Sequence, residues 1–168
     1  MNAQNYASAS AHHQRAAHCH QEASRHYRSG KDFAHAAHQA LLAHGHALRA
    51  IDYANEAGKP NSKLTSQIPN GDICAASGPP ITPLDATAIL QKRLDGADHH
   101  MAAAEHHAEA AIHQGKAAAH FRERRYEAAA QEAQHARCHA DHAIFHDDAG
   151  ARHYAEHYGG AGPIAELA

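Results

Sequence analysis

Small residues mark out the helices of this chain more clearly than large ones do. Ala36, Ala40, Ala43, Ala47, Ala50, Ala54 and Ala57 alternate intervals of four and three, and Ala129, Ala133, Ala136, Ala140 and Ala143 repeat the rhythm. Such spacing keeps one residue type on one line of an α-helix, the contact line of a coiled-coil-like seam. A third line alternates in kind, running His99, Ala103, His106, Ala110, His113, Ala117, His120, and a fourth runs His12, Ala16, Cys19, Ala23, His26. Large against small along a line is how facing helices interdigitate. Leu41, Leu42, Leu48, Ile51, Ile112, Ile144 and Phe145 are expected to supply the conventional part of the core.

The four lines belong to two copies of one unit. Residues 11–28 lie over 105–122 at an offset of 94, which carries His12, His13, Ala16, Ala17, His26 and Arg28 onto His106, His107, Ala110, Ala111, His120 and Arg122. After one deletion in the turn the offset is 93, and Phe33, Ala36, Ala43, His46 and Ile51 fall on Tyr126, Ala129, Ala136, His139 and Ile144. Each copy reads as helix–turn–helix. In the first, Gly30 ends one helix and Asp32 caps the next. The second turns near Arg124 without a glycine. Between them GKPNSKLTSQIPNGDICAASGPPITP reads as loop, longer than ordinary helix connections, and so as a crossover between hairpins. Thr82-Pro83-Leu84-Asp85 has the make-up of a helix start; that helix either continues to Arg122 or breaks at Gly96. The expected fold is all-α: an antiparallel helical bundle of two duplicated hairpins, 1–58 and 83–158, joined by a Pro/Gly-rich crossover at 59–82. Residues 159–168 form a tail, and the whole packs as one unit.

Composition sharpens this picture. The 168 residues suffice for one core. Their 43% hydrophobic share is mostly alanine, about a quarter of the chain, which favours helix but buries little area. The helices must therefore approach closely, and a homodimer interface would supplement so thin a core. A net charge of −3 with neutral histidine argues against broad nucleic-acid binding. No segment approaches the roughly 18 apolar residues of a membrane span, and MNAQNYASAS has no signal-like apolar run. Cys19, Cys74 and Cys138 read as free thiols in a reducing, cytoplasmic setting.

The candidate chemistry lies in 21 histidines. His135/His139, His142/His146 and His153/His157 have the i, i+4 spacing that directs two ring nitrogens at one ion. One helix rarely completes a site, because zinc takes about four ligands. A turn centred near Arg124 sets His106 beside His142, His113 beside His135, and Glu109 beside His139 as an outer acceptor. Two candidate metal sites follow, His106/His142/His146 and His113/His135/His139, suited to Zn, Ni, Cu or Co. The alternative is that imidazole merely fills the space alanine leaves, half-buried and hydrogen-bonded; no plausible site uses all the rings. Glu132-Ala-Gln-His135 is one half of a di-iron motif, but Gln39-Ala-Leu-Leu42 in the first copy lacks the other. No C-x-x-C-H, G-x-S-x-G or Walker-type loop is present. The expected function is therefore non-enzymatic binding of a divalent transition metal, for buffering or sensing. A bundle that responds to pH is a further expectation, since imidazole titrates near neutrality.

FRERRYEAAAQEAQHA, with Phe121 and Tyr126 around the turn and Ala129 and Ala136 seven apart, resembles a tetratricopeptide-type repeat over about 34 residues. The hairpins depart from that family in their longer helices and missing tryptophan and proline positions. The chain is also similar to small His- and Ala-rich bacterial helical proteins. The tetratricopeptide resemblance implies a scaffold for a protein partner, with no catalytic residue.

Overall fold

The computed structural model describes residues 2–59 and 95–158. They form four helices: α1 (Asn2–Ser29), α2 (Phe33–Gly58), α3 (Gly96–Arg122) and α4 (Tyr126–Tyr158), with no strand among the described residues. Apart from Lys59, the expected crossover at 59–82 lies outside the described residues, as do the Thr82–Asp85 helix start and the tail at 159–168.

Local chemistry accounts for the turns. The chain leaves α1 through Gly30, whose φ of 65° is the left-handed region that lacks a steric cost only for glycine. Asp32 then accepts a hydrogen bond from the His35 backbone N–H at 2.8 Å and caps α2. The second turn puts Arg124 in the same region, at φ 59°, without the glycine. Glu123 and Arg124 donate back to the Ala119 and Phe121 carbonyls, and these bonds hold the conformation. α3 starts at Gly96: Asp95 is extended and accepts from the Asp98 N–H at 2.8 Å, so the helix begins with its own cap, and the residues expected to precede it in the same helix lie outside the described residues.

Neighbouring helices are antiparallel. His12 meets His46 between α1 and α2, and His20 meets His100 between α1 and α3. His99 meets His146 between α3 and α4, and His44 meets Asp147 between α2 and α4. The order around the bundle is thus α1–α2–α4–α3, with the α2–α4 side the lightest contact.

The core differs from the one expected. Leu41 is 69% exposed and Phe145 60%. Leu42, Leu48 and Ile112 are also exposed, and Ile51 and Ile144 are only half-buried. The interior is alanine, with Ala16, Ala43, Ala103, Ala110, Ala136 and Ala143 fully buried. Helices that touch through alanine methyls leave no depth for leucine between them, so the aliphatic bulk moves to the flanks. Ser10 Oγ reaches the Ala111 carbonyl at 2.8 Å, a measure of how near α1 and α3 lie. The bulky buried side chains are Tyr6, His13, His20, His100, His107 and Gln114.

Cys19 is a free thiol, but Cys138 is disulfide-bonded. This corrects the expectation of three free thiols and removes that argument for a reducing compartment. No described helix is long and apolar enough to cross a membrane.

Candidate metal centre

Histidine doublets sort the rings between two seams. Adjacent residues on a helix point about 100° apart, so one doublet serves two neighbours. The first member faces the partner in its own hairpin, with Nδ1–Nδ1 separations of 3.1 Å for His12–His46, 3.2 Å for His99–His146 and 3.3 Å for His106–His139. The second member enters the α1–α3 interface, where His13 meets His107 and His100 meets His20, both at 3.3 Å. These four rings are fully buried and form one file. His13 stacks on His107, His107 on His20, and His20 on His100, with centroids 5.3, 5.5 and 5.4 Å apart. Tyr27 closes the file against His100 at 5.2 Å.

Burial keeps the file neutral. It lowers the pKa of His13 and His100 to about 4 and that of His107 to about 3, with neighbouring imidazoles adding repulsion. His20 is pushed well below its ordinary value for the same reasons. Between neutral rings each Nδ1–Nδ1 contact is an N–H···N hydrogen bond, one ring donating and the other accepting.

At one end of the file α4 supplies a carboxylate. Asp147 is buried; its Oδ2 accepts from His44 Nδ1 at 2.9 Å, and its Oδ1 lies 3.9 Å from His20 Nε2. Burial raises its pKa, against the opposing pull of the His44 hydrogen bond. His20, His100 and Asp147 each offer a ligand atom, and these lie within 4.8 Å of one another. The His20 and His100 Nε2 atoms are buried without a hydrogen-bond partner. Two imidazoles and a carboxylate form a donor set that divalent transition metals accept. The residues present therefore fit such an ion.

Gly150, on the turn of α4 after Asp147, makes room for the His100 ring. A Cβ there would stand 2.9 Å from His100 Cε1 and 3.0 Å from Nε2. The ring is held between His20 and Tyr27 and has nowhere to retreat. Gly150→Ala should therefore destabilise the protein by about 1–3 kcal/mol through overpacking, measured by denaturant unfolding without metal.

The six residues singled out in the sequence lie together on the α3–α4 seam. The His106 ring centroid is 5.6, 5.1 and 5.8 Å from those of His139, His142 and His146. His113 is 5.3 Å from His135 and 5.5 Å from His139. The nitrogens are engaged differently from the two expected triads: His106 pairs with His139, and His113 donates to Glu132 at 2.6 Å. His142 is exposed and the other five are half-buried. The Glu109 carboxylate, expected beside His139, pulls on that ring, although burial dominates and lowers its pKa.

Sequence reasoning passed over His20, His44, His100 and Asp147. It followed i, i+4 pairs and their facing partners within the second hairpin, whereas these four come from four different helices and both hairpins. The available signal was the doublet itself, whose second member must face away from its own hairpin.

The chain matches no protein-family model, no curated protein and no solved structure.

Proposed function

We propose that this is a non-catalytic metal-binding protein that holds one divalent transition metal ion, zinc, nickel, copper or cobalt, at His20, His100 and Asp147. The observation that carries the reading is three buried donor groups from three helices within 4.8 Å of one another. Burial raises the pKa of Asp147 and lowers those of His20 and His100, so all three groups are held against their charged forms, and a cation bound between them would offset the cost of burying the carboxylate's charge. His44 orients the carboxylate from outside, as metal-bound groups are commonly held.

The half-exposed file of His106, His113, His135, His139, His142 and His146 is the second part of the proposal. Its neighbouring rings offer weaker, faster-exchanging imidazole positions, which suits buffering. The reading also takes the hairpins as copies of one unit; the repeat-equivalent His13 and His107 pair with each other. Exposed Leu41, Leu48 and Phe145 favour an added role as a docking surface, for a second copy or for the protein partner of a tetratricopeptide-like scaffold.

Protein purified without an affinity tag should contain close to one equivalent of metal per chain by elemental analysis. Melting in the presence of zinc, nickel, copper and cobalt then ranks the ions. Metal-free protein whose melting no ion alters would end the proposal.

A further inference from the structure

The repeat places the same imidazole pair on two seams and surrounds it with opposite charge. His12–His46, between α1 and α2, corresponds to His106–His139, between α3 and α4; the Nδ1 atoms are 3.1 and 3.3 Å apart. The offset of 94 takes Arg15 onto Glu109, and that of 93 takes Arg49 onto His142 and Tyr53 onto His146. The second seam thus has a carboxylate and further imidazoles where the first has two guanidinium groups. On the second, Glu109 favours protonation of His106 and His139. On the first, Arg15 and Arg49 oppose it at His12 and His46, adding to the larger effect of burial.

Arg15 follows His12 by three residues on α1, and Arg49 follows His46 by three on α2, so each shares a helix face with its imidazole. Because the two helices are antiparallel, the guanidinium groups flank the pair from opposite ends. Both are exposed, and neither has a carboxylate at ion-pair distance among the described residues, whereas Arg25 is paired with Glu22 and Arg28 with Asp98. On the Arg49 side lies an open groove of about 290 Å³, lined by His12, Arg49, Asp52, Tyr53 and Glu56. Tyr53 stacks on His12 with ring centroids 5.5 Å apart and steadies that ring. Glu56 is tied to Lys59, and Asp52 stands exposed at the rim. Like charges gathered without a counter-ion cost free energy that a bound anion removes.

We propose that the α1–α2 seam binds a tetrahedral oxyanion of the phosphate class, free or as a monoester, between Arg15 and Arg49 and over the His12–His46 pair. Guanidinium forks match phosphate oxygens two at a time. The imidazole that accepts at Nδ1 within the pair carries its proton on Nε2, which is left to donate to the anion. None of these four side chains is fully buried, so the anion reaches them from solvent. The same charges repel a divalent cation, so this seam is not a further metal site. The anion site stands independently of the metal centre.

The test uses the full chain, stripped of metal on a chelating resin, near neutral pH and at constant ionic strength, with histidine and arginine side chains followed by nuclear magnetic resonance. Inorganic phosphate should saturably shift His12, His46, Arg15 and Arg49 and leave His106 and His139 in place. Phenyl phosphate should do the same; tighter binding than that of inorganic phosphate marks a monoester as the ligand, and equal or weaker binding marks the free ion. Arg15→Gln and Arg49→Gln, both at exposed positions, should each weaken phosphate binding about tenfold or more. Arg15→Glu, which gives the first copy the charge of the second, should abolish it. Absence of a saturable shift, an equal shift from chloride at the same ionic strength, or unchanged phosphate affinity in Arg15→Glu would each overturn the proposal.

Discussion

In metal-free buffer the bundle should lose its helicity as the pH falls from 6.5 to 5. The cause is the buried file of His13, His107, His20 and His100. Their folded pKa values lie at about 4 for His13 and His100, about 3 for His107, and well below the ordinary value for His20. An unfolded histidine titrates near 6.5. Between the folded and unfolded values the unfolded chain binds more protons, so stability falls with pH over that window. It is fully present above about pH 6.5, and the loss levels off only below the folded values. At pH 5 His13, His100 and His107 each cost about 2 kcal/mol, roughly 6 together, and His20 acts in the same direction. Ordinary domains hold about 5–15 kcal/mol in total. Asp147 acts in the opposite direction, because a carboxyl with a raised pKa takes up its proton more readily when folded. It is one group against four. Far-ultraviolet circular dichroism across the range, with chelator present, checks the prediction; full helicity and an unchanged melting temperature at pH 5 would contradict it.

His100→Ala and Asp147→Asn should each remove the stabilisation that metal confers. An ion at a hundred times its dissociation constant stabilises a folded protein by about 2.7 kcal/mol, which raises the melting temperature of a domain of this size by roughly 5–10 °C. Loss of a ligand should cost about a hundredfold or more in affinity. His44→Ala should cost less, about 10–100-fold, because it removes only the group orienting Asp147. His142→Ala, on the exposed seam, should leave the shift intact. The readout is the difference between melting with and without metal, which separates ligand loss from the cavity that His100→Ala opens. Equal metal-induced shifts in wild type and Asp147→Asn would exclude the carboxylate as a ligand.

The features legible in the sequence are those set locally. Gly30, Asp32 and the Arg124 turn are fixed by a few neighbouring residues, and the alanine seams announce their helices by spacing alone. Ring contacts within the second hairpin follow from where its turn lies, and His106 lies beside His142 accordingly. The docking of one hairpin on the other depends on side chains far apart in sequence. It decides that His20 and His100 meet, and that Asp147 closes over them. Leu41 and Phe145 were misjudged for a related reason: hydrophobicity alone does not say that an alanine seam is too shallow to admit them. Asp147 carries no motif, and its role depends on Gly150 letting α4 settle against His100.

The most direct test of the metal centre is anomalous diffraction from crystals grown with one equivalent of zinc. A single strong peak is expected between His20, His100 and Asp147, about 2.0–2.2 Å from one atom of each. The strongest peak lying instead against His106 and His139, with none beside Asp147, would contradict the account.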